Sequence, residues 1–151
     1  MTWLMENPLG IRVIVMTKSL VEQIRLENGL VLNLYNASRK IAGDRWQVVC
    51  IAGLEVPVNS VAAEAISAKG IPPEDLLKAL GDFVTFEKVL ERNFVDDAEV
   101  NQVQTDLFAS MTQSLLPYLS RPEFPLRLLI RRYQEFLKQS AGRNLQGSFS
   151  A

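Results

Sequence analysis

Apolar and polar residues alternate through most of the first 58 positions, and from residue 97 onward apolar residues recur every three or four. The first period is that of a strand and the second that of a helix. Residues 11–17 form a short β-branched run that predicts a buried strand. Over 20–27, Leu20, Ile24 and Leu26 share one parity and Val21, Gln23, Arg25 and Glu27 the other, as in a sheet with one wet face. Asn28-Gly29 then predicts a type I′ hairpin turn, whose two central residues need positive φ. A strand over 30–41 follows, and Gly43-Asp44 makes a second turn. Across 45–58, Trp46, Val48, Cys50, Ala52, Leu54, Val56 and Val58 hold an unbroken period of two. Gly53 inside that stripe predicts a bulge or a close backbone approach.

The middle of the chain is less regular. Residues 61–69 are alanine-rich and suit two helical turns closed by Gly70, and Pro72-Pro73 opens a short helix over 74–80 with acidic residues at its dipole-favoured end. Residues 83–95 fit both periods. Phe83, Phe86, Leu90 and Phe94 lie near helical spacing, while Val84, Phe86, Leu90 and Phe94 share one strand parity. Aromatic and β-branched content, with the Gly81-Asp82 break in front, favours the strand.

Asp96 and Glu99 form a D-x-x-E capping signature. Behind it, Val100, Val103, Leu107, Met111, Leu115 and Tyr118, with Phe108 and Leu119 widening the stripe, mark the apolar face of a helix over 97–118. Pro122 and Pro125 punctuate its end, and Leu126, Leu129, Ile130, Tyr133, Phe136 and Leu137 define a second helix over 125–139. Residues 141–151 are small and polar and read as a flexible tail. Strands first and helices last, without βαβ alternation, imply an α+β fold. The expectation is an antiparallel meander of about five strands (11–17, 20–27, 30–41, 45–58 and 83–95) with two long C-terminal helices packed on one face, in a single domain over 1–140.

Composition narrows the chemistry. At 151 residues and 48% hydrophobic content, the chain can build a core without a metal or disulfide staple. It contains no histidine, which removes the commonest general base, the commonest zinc ligand and every Ser-His or Cys-His pairing. The single cysteine, Cys50, falls in the apolar stripe between Val48 and Ala52, where a buried small hydrophobe is expected rather than a reactive thiolate. One free thiol, the lack of a basic-then-apolar leader, and apolar runs far short of the ~20 residues of a membrane span point to a cytoplasmic protein without membrane association. There is no GxxxxGK[ST] and no GxGxxG after a strand. Glu87 and Glu91 are four apart and are the remaining acid–base pair, but Lys88 and Arg92 beside them suit a solvated face. Asp96, Asp97 and Glu99 lack EF-hand spacing and are explained by the helix start. The reading is therefore no catalytic residue, no metal and no cofactor.

Charge is segregated along the chain. Residues 1–72 carry 7 basic and 6 acidic groups, residues 73–106 carry 3 and 9, and residues 107–151 carry 6 and 2. In the basic end, Arg127, Arg131 and Lys138 follow one line of the last helix, with Arg132 beside it. Such a stripe can grip a phosphate or an acidic partner, or can be an ordinary wet face. With no aromatic interleaved to stack bases, nucleic acid is disfavoured. A second cluster, Arg39, Lys40, Arg45 and Trp46, brackets the Gly43-Asp44 turn and could form a small anion contact.

Asn36-Ala37-Ser38-Arg39-Lys40-Ile41 partly resembles the [DN]xSxxG element of PilZ domains, the cyclic-di-GMP receptors. Those domains carry RxxxR upstream and a glycine at the sixth position. Here Ile41 stands at the sixth position, and the RxxxR, Arg127 to Arg131, lies far downstream. The resemblance assigns no family and only keeps a small anionic ligand in view. The expected function is a non-enzymatic binding or adaptor protein, self-associating as a homodimer through a sheet edge or helical face. The alternative is a sensor of a phosphorylated, nucleotide-like small molecule or a nucleic-acid backbone, held by the basic residues. An enzyme using Glu87 and Glu91 or a metal is a third possibility.

Overall fold

The computed structural model describes residues 3–6, 12–15 and 18–149 of the chain, with side chains described over 18–142. The elements run β1 (Trp3–Glu6), β2 (Arg12–Val15), β3 (Ser19–Arg25), β4 (Val31–Asn36), β5 (Arg39–Ala42), β6 (Arg45–Pro57), α1 (Ala63–Ser67), α2 (Pro73–Leu80), β7 (Phe83–Asp96), α3 (Val100–Leu119) and α4 (Phe124–Phe149). The class is α+β, with a five-stranded antiparallel sheet and two long C-terminal helices, as the periodicity implies. Contacts divide the chain into two compact units, each assembled from two separated stretches. Residues 1–54 and 87–119 form one, and residues 55–86 and 120–151 the other.

In the first unit, β1 and β2 form a two-stranded antiparallel sheet of their own, with Trp3 opposite Val15 and Glu6 opposite Arg12. The strand expected over 11–17 is thus present as β2, but it stands outside the main sheet; residues 11, 16 and 17 lie outside the described residues.

The strand expected over 30–41 is split into β4 and β5, yet one register continues through both. Asn36 pairs with Cys50, Ala37 N–H bonds the Val49 carbonyl at 2.9 Å, and Arg39 pairs with Gln47. The break has a local cause. Asn36 Oδ1 accepts both the Ser38 backbone N–H at 3.0 Å and the Ser38 hydroxyl at 2.6 Å, and Ser38 Oγ in turn accepts the Val49 N–H at 3.0 Å. Side-chain oxygens of this kind compete with the ladder for the backbone. The order is therefore β3, then β4 with β5, then β6, then β7, which is a meander. Asp97 N–H reaches the Asp44 carbonyl at 2.8 Å and Gln47 Nε2 reaches Glu91, so β7 runs opposite to β6.

β6 is the centre of this unit. Val48, Cys50 and Ala52 on one face and Val49 on the other are each 0% exposed. The first set lies among Leu32, Leu34 and Leu54, and the second packs with Ala37, Ile51 and Tyr35. Gly53 makes no bulge; it pairs in unbroken register with Asn33. α3 buries Val100, Leu107, Met111 and Leu119 along the stripe expected for it.

Two turn details depart from expectation. The β3–β4 hairpin closes through Leu26 N–H to the Leu30 carbonyl and Gly29 N–H to the Leu26 carbonyl, with Gly29 at φ 90°. Asn28 has no positive φ, so the turn is a type I form followed by a left-handed glycine rather than type I′. Asn28 is held by its side chain, which donates to the Leu119 carbonyl at 2.6 Å and accepts the Leu30 N–H at 3.1 Å. In β7, Phe94 adopts φ 58° and is 75% exposed, while Val95 is buried. Phe94 shares the strand parity of Val84, Phe86 and Leu90, which are buried or half-buried. The left-handed residue shifts the alternation by one, so Val95 takes the inward place.

The second unit holds α1, α2, α4 and the adjoining ends of β6 and β7. Val56, Val58, Ile66, Leu76, Val84, Phe124, Leu128 and Leu129 are its buried apolar residues. α2 packs on α4, and Phe86 meets Phe124 edge-on with centroids 5.9 Å apart. Pro73 opens α2, and Gly81, at φ 77°, ends it. α4 continues to Phe149, beyond the end expected at 139 and into the stretch read as a tail.

Candidate functional site

The hairpin cluster forms at the β5–β6 turn, and three of its four residues have side-chain partners. Arg39 Nε donates to Gln47 Oε1 at 3.0 Å. Arg45 faces two carboxylates, Asp44 at 3.8 Å and Asp96 at 3.6 Å. The Trp46 indole N–H donates to Asp97 Oδ1 at 2.6 Å. Lys40, opposite Trp46 in the ladder, is exposed. Asp96, at the end of β7, thus supplies a counter-charge for Arg45, and Asp97 just beyond it anchors the Trp46 indole. Periodicity does not reveal this, because the partners are some fifty positions apart (Trp46 with Asp97, Arg45 with Asp96).

The helical stripe is different. Arg127, Arg131 and Lys138 are all exposed on α4, and no carboxylate pairs with any of them among the described residues. Arg132 turns aside and donates to the Thr85 carbonyl at 3.1 Å. The stripe belongs to the second unit and the hairpin cluster to the first.

Cys50 is fully buried, and burial pushes its thiol up to about 11. The thiolate, the nucleophilic form, is therefore scarce at neutral pH. Glu87 and Glu91 are both exposed on β7, and Glu91 accepts a 3.4 Å bond from Gln47. Asp96 accepts the Ala98 N–H at 3.1 Å as a cap. Among the described residues, no three His, Cys, Asp or Glu side chains gather as metal ligands would.

One concavity was not foreseen. A pocket of about 340 Å³ opens between the end of β7 and the first turns of α3. Val95, Val103 and Leu107 give it an apolar lining, and Arg92, Glu99 and Asp106 bring charge to it. Phe94 also lines it, held in its left-handed conformation. The α3 contribution is legible as i, i+4, i+7 and i+8 from Glu99. The β7 contribution is not, because it depends on the parity shift at Phe94.

No protein-family model matches the chain, no curated protein matches its sequence, and no solved structure matches its fold. No helix among the described residues is long and apolar enough to cross a membrane.

Proposed function

We propose that the protein is a non-enzymatic binding protein of a reducing, cytoplasmic compartment that works as a homodimer joined through the open edge of β3. One observation carries this reading. Among the described residues, β3 has a single strand neighbour, β4, and six of its seven residues are exposed, including Leu20 at 51% and Val21 at 55%; Ile24 alone is half-buried. An ordinary edge strand gains from a ladder on one side and a core on one face. β3 gains from the ladder with little core, and its outer row of N–H and C=O groups is a template for another strand. A second copy is the partner that a two-fold axis provides without further components. The buried, proton-holding Cys50 and the absence of histidine support the non-enzymatic part.

Sedimentation velocity from low to high micromolar concentration tests the reading. The wild-type chain sediments as a dimer at the upper end, and Leu20→Lys with Val21→Lys returns it to monomer with an unchanged circular dichroism spectrum. A wild-type chain that stays monomeric throughout overturns it.

The unpaired cations of α4 favour a second reading, a sensor that holds a phosphorylated small molecule or nucleic-acid backbone through Arg127, Arg131 and Lys138. A thermal-shift screen with nucleotides, cyclic dinucleotides and short RNA checks it, because a bound ligand raises the melting temperature by mass action. A shift that survives Arg131→Ala and Arg127→Ala removes this site.

A further inference from the structure

We propose that the pocket between the end of β7 and α3 binds a free amino acid with a large apolar side chain. Its lining offers three kinds of group at once. Arg92 is a cationic member of the lining, Glu99 and Asp106 are acidic members, all three exposed, and Val95, Val103 and Leu107 are its aliphatic members, with the amide of Asn93 beside Arg92. Arg92 and Glu99 line the same pocket, yet neither has an ion-pair or hydrogen-bond partner among the described residues. Asp106 accepts one bond, from Gln102 Nε2 at 2.8 Å, and an ionised carboxylate has room for several more.

Opposite charges that line one pocket without closing on each other suit a molecule that carries both. A guanidinium fork takes a carboxylate in two parallel bonds, and a carboxylate pair takes an ammonium. Simpler ligands fit less well. An anion would face Glu99 and Asp106, a cation would face Arg92, and a purely apolar ligand would strip water from all three charges without replacing it. The volume, about 340 Å³, lies at the small end of ligand pockets, roughly 300–1,000 Å³. Phe94 borders the pocket and is 75% exposed. Its left-handed backbone is costly for an aromatic residue, and it leaves the inward position of the strand to Val95.

This site is independent of β3, so its test and that of self-association can fail separately. Two-dimensional NMR of the full chain, titrated with millimolar L-phenylalanine, reads it directly. The expected shifts fall on the amides of residues 92–95 and 99–107. Phenethylamine, which lacks the carboxylate, and 3-phenylpropionate, which lacks the ammonium, should each bind roughly tenfold more weakly or worse, as the loss of a charged hydrogen bond implies. Arg92→Ala should weaken phenylalanine by a similar factor and leave phenethylamine unchanged; Glu99→Gln should spare 3-phenylpropionate. Three results overturn the proposal: no shift with phenylalanine or leucine, shifts confined to other residues, or phenethylamine binding as tightly as phenylalanine.

Discussion

β6 and β3 belong to the same sheet, yet they end in opposite environments. β6 is buried on both faces over Val48–Ala52, whereas β3 is exposed on both faces over nearly its whole length. Local sequence accounts for part of this difference, since Val48–Ala52 are all apolar while β3 carries Glu22, Gln23 and Arg25, and position in the sheet accounts for the rest. β6 has neighbours on two sides, β4 and β5 along one edge and β7 along the other, while β3 has β4 alone among the described residues. An apolar residue in β6 is thus committed to the fold of its own chain, and an apolar residue in β3 is free for another chain. If the proposed self-association holds, the same contrast separates stability from association, and substitutions in the two strands should sort accordingly.

The largest effect is expected at the centre. Leu54→Ala removes a side chain that is 1% exposed, so it should cost about 2–5 kcal/mol, read as a lower denaturation midpoint at unchanged slope. Cys50 sharpens the same point through pH. Its folded thiol titrates near 11, above the ordinary cysteine value of about 8.5. The unfolded chain therefore loses this proton first. The contribution to stability is complete below about pH 8.5 and is lost as pH rises toward 11, by roughly 1 kcal/mol per unit. Urea melts at pH 8 and pH 10 should show that fall, and Cys50→Ala should lack it.

A smaller and opposite effect is expected at the pocket. Phe94→Gly relieves a left-handed backbone at an exposed position and should raise stability by about 1 kcal/mol, checked by the same melts. The smallest belongs to β3. Leu20→Lys and Val21→Lys should each change monomer stability by no more than about 0.5 kcal/mol, because neither side chain is in the core. If either costs as much as Leu54→Ala, the contrast between the strands is false.

Much of this architecture is legible in the sequence because burial imposes a period. The stripe from Val48 to Val56 and the stripe from Val100 to Leu119 each follow from one face meeting a core. The strand reading of 83–95 holds as well, with β7 covering Phe83–Asp96. What the periods do not carry is anything set by a single hydrogen bond or a single dihedral angle. Ser38 interrupts a strand whose apolar pattern gives no sign of it. Asn28 was assigned a backbone conformation from its neighbour Gly29, but its side chain reaches α3 instead. Phe94 moves the inward position to Val95, and with it creates half of the pocket lining. The basic hairpin can be named from sequence, but not the pairing of Arg45 with Asp96 and of Trp46 with Asp97, which needs two distant segments to meet.

The outer amides of β3 report most directly on whether that strand is joined to a second copy. The Leu26–Leu30 bond and the pairing of Ile24 with Leu32 fix the alternation, so the N–H groups of Gln23 and Arg25 point away from β4. Hydrogen exchange at these two amides, followed from low to high micromolar protein, should slow with concentration while exchange in β6 stays constant. Fast exchange at Gln23 and Arg25 that does not change with concentration would contradict the account.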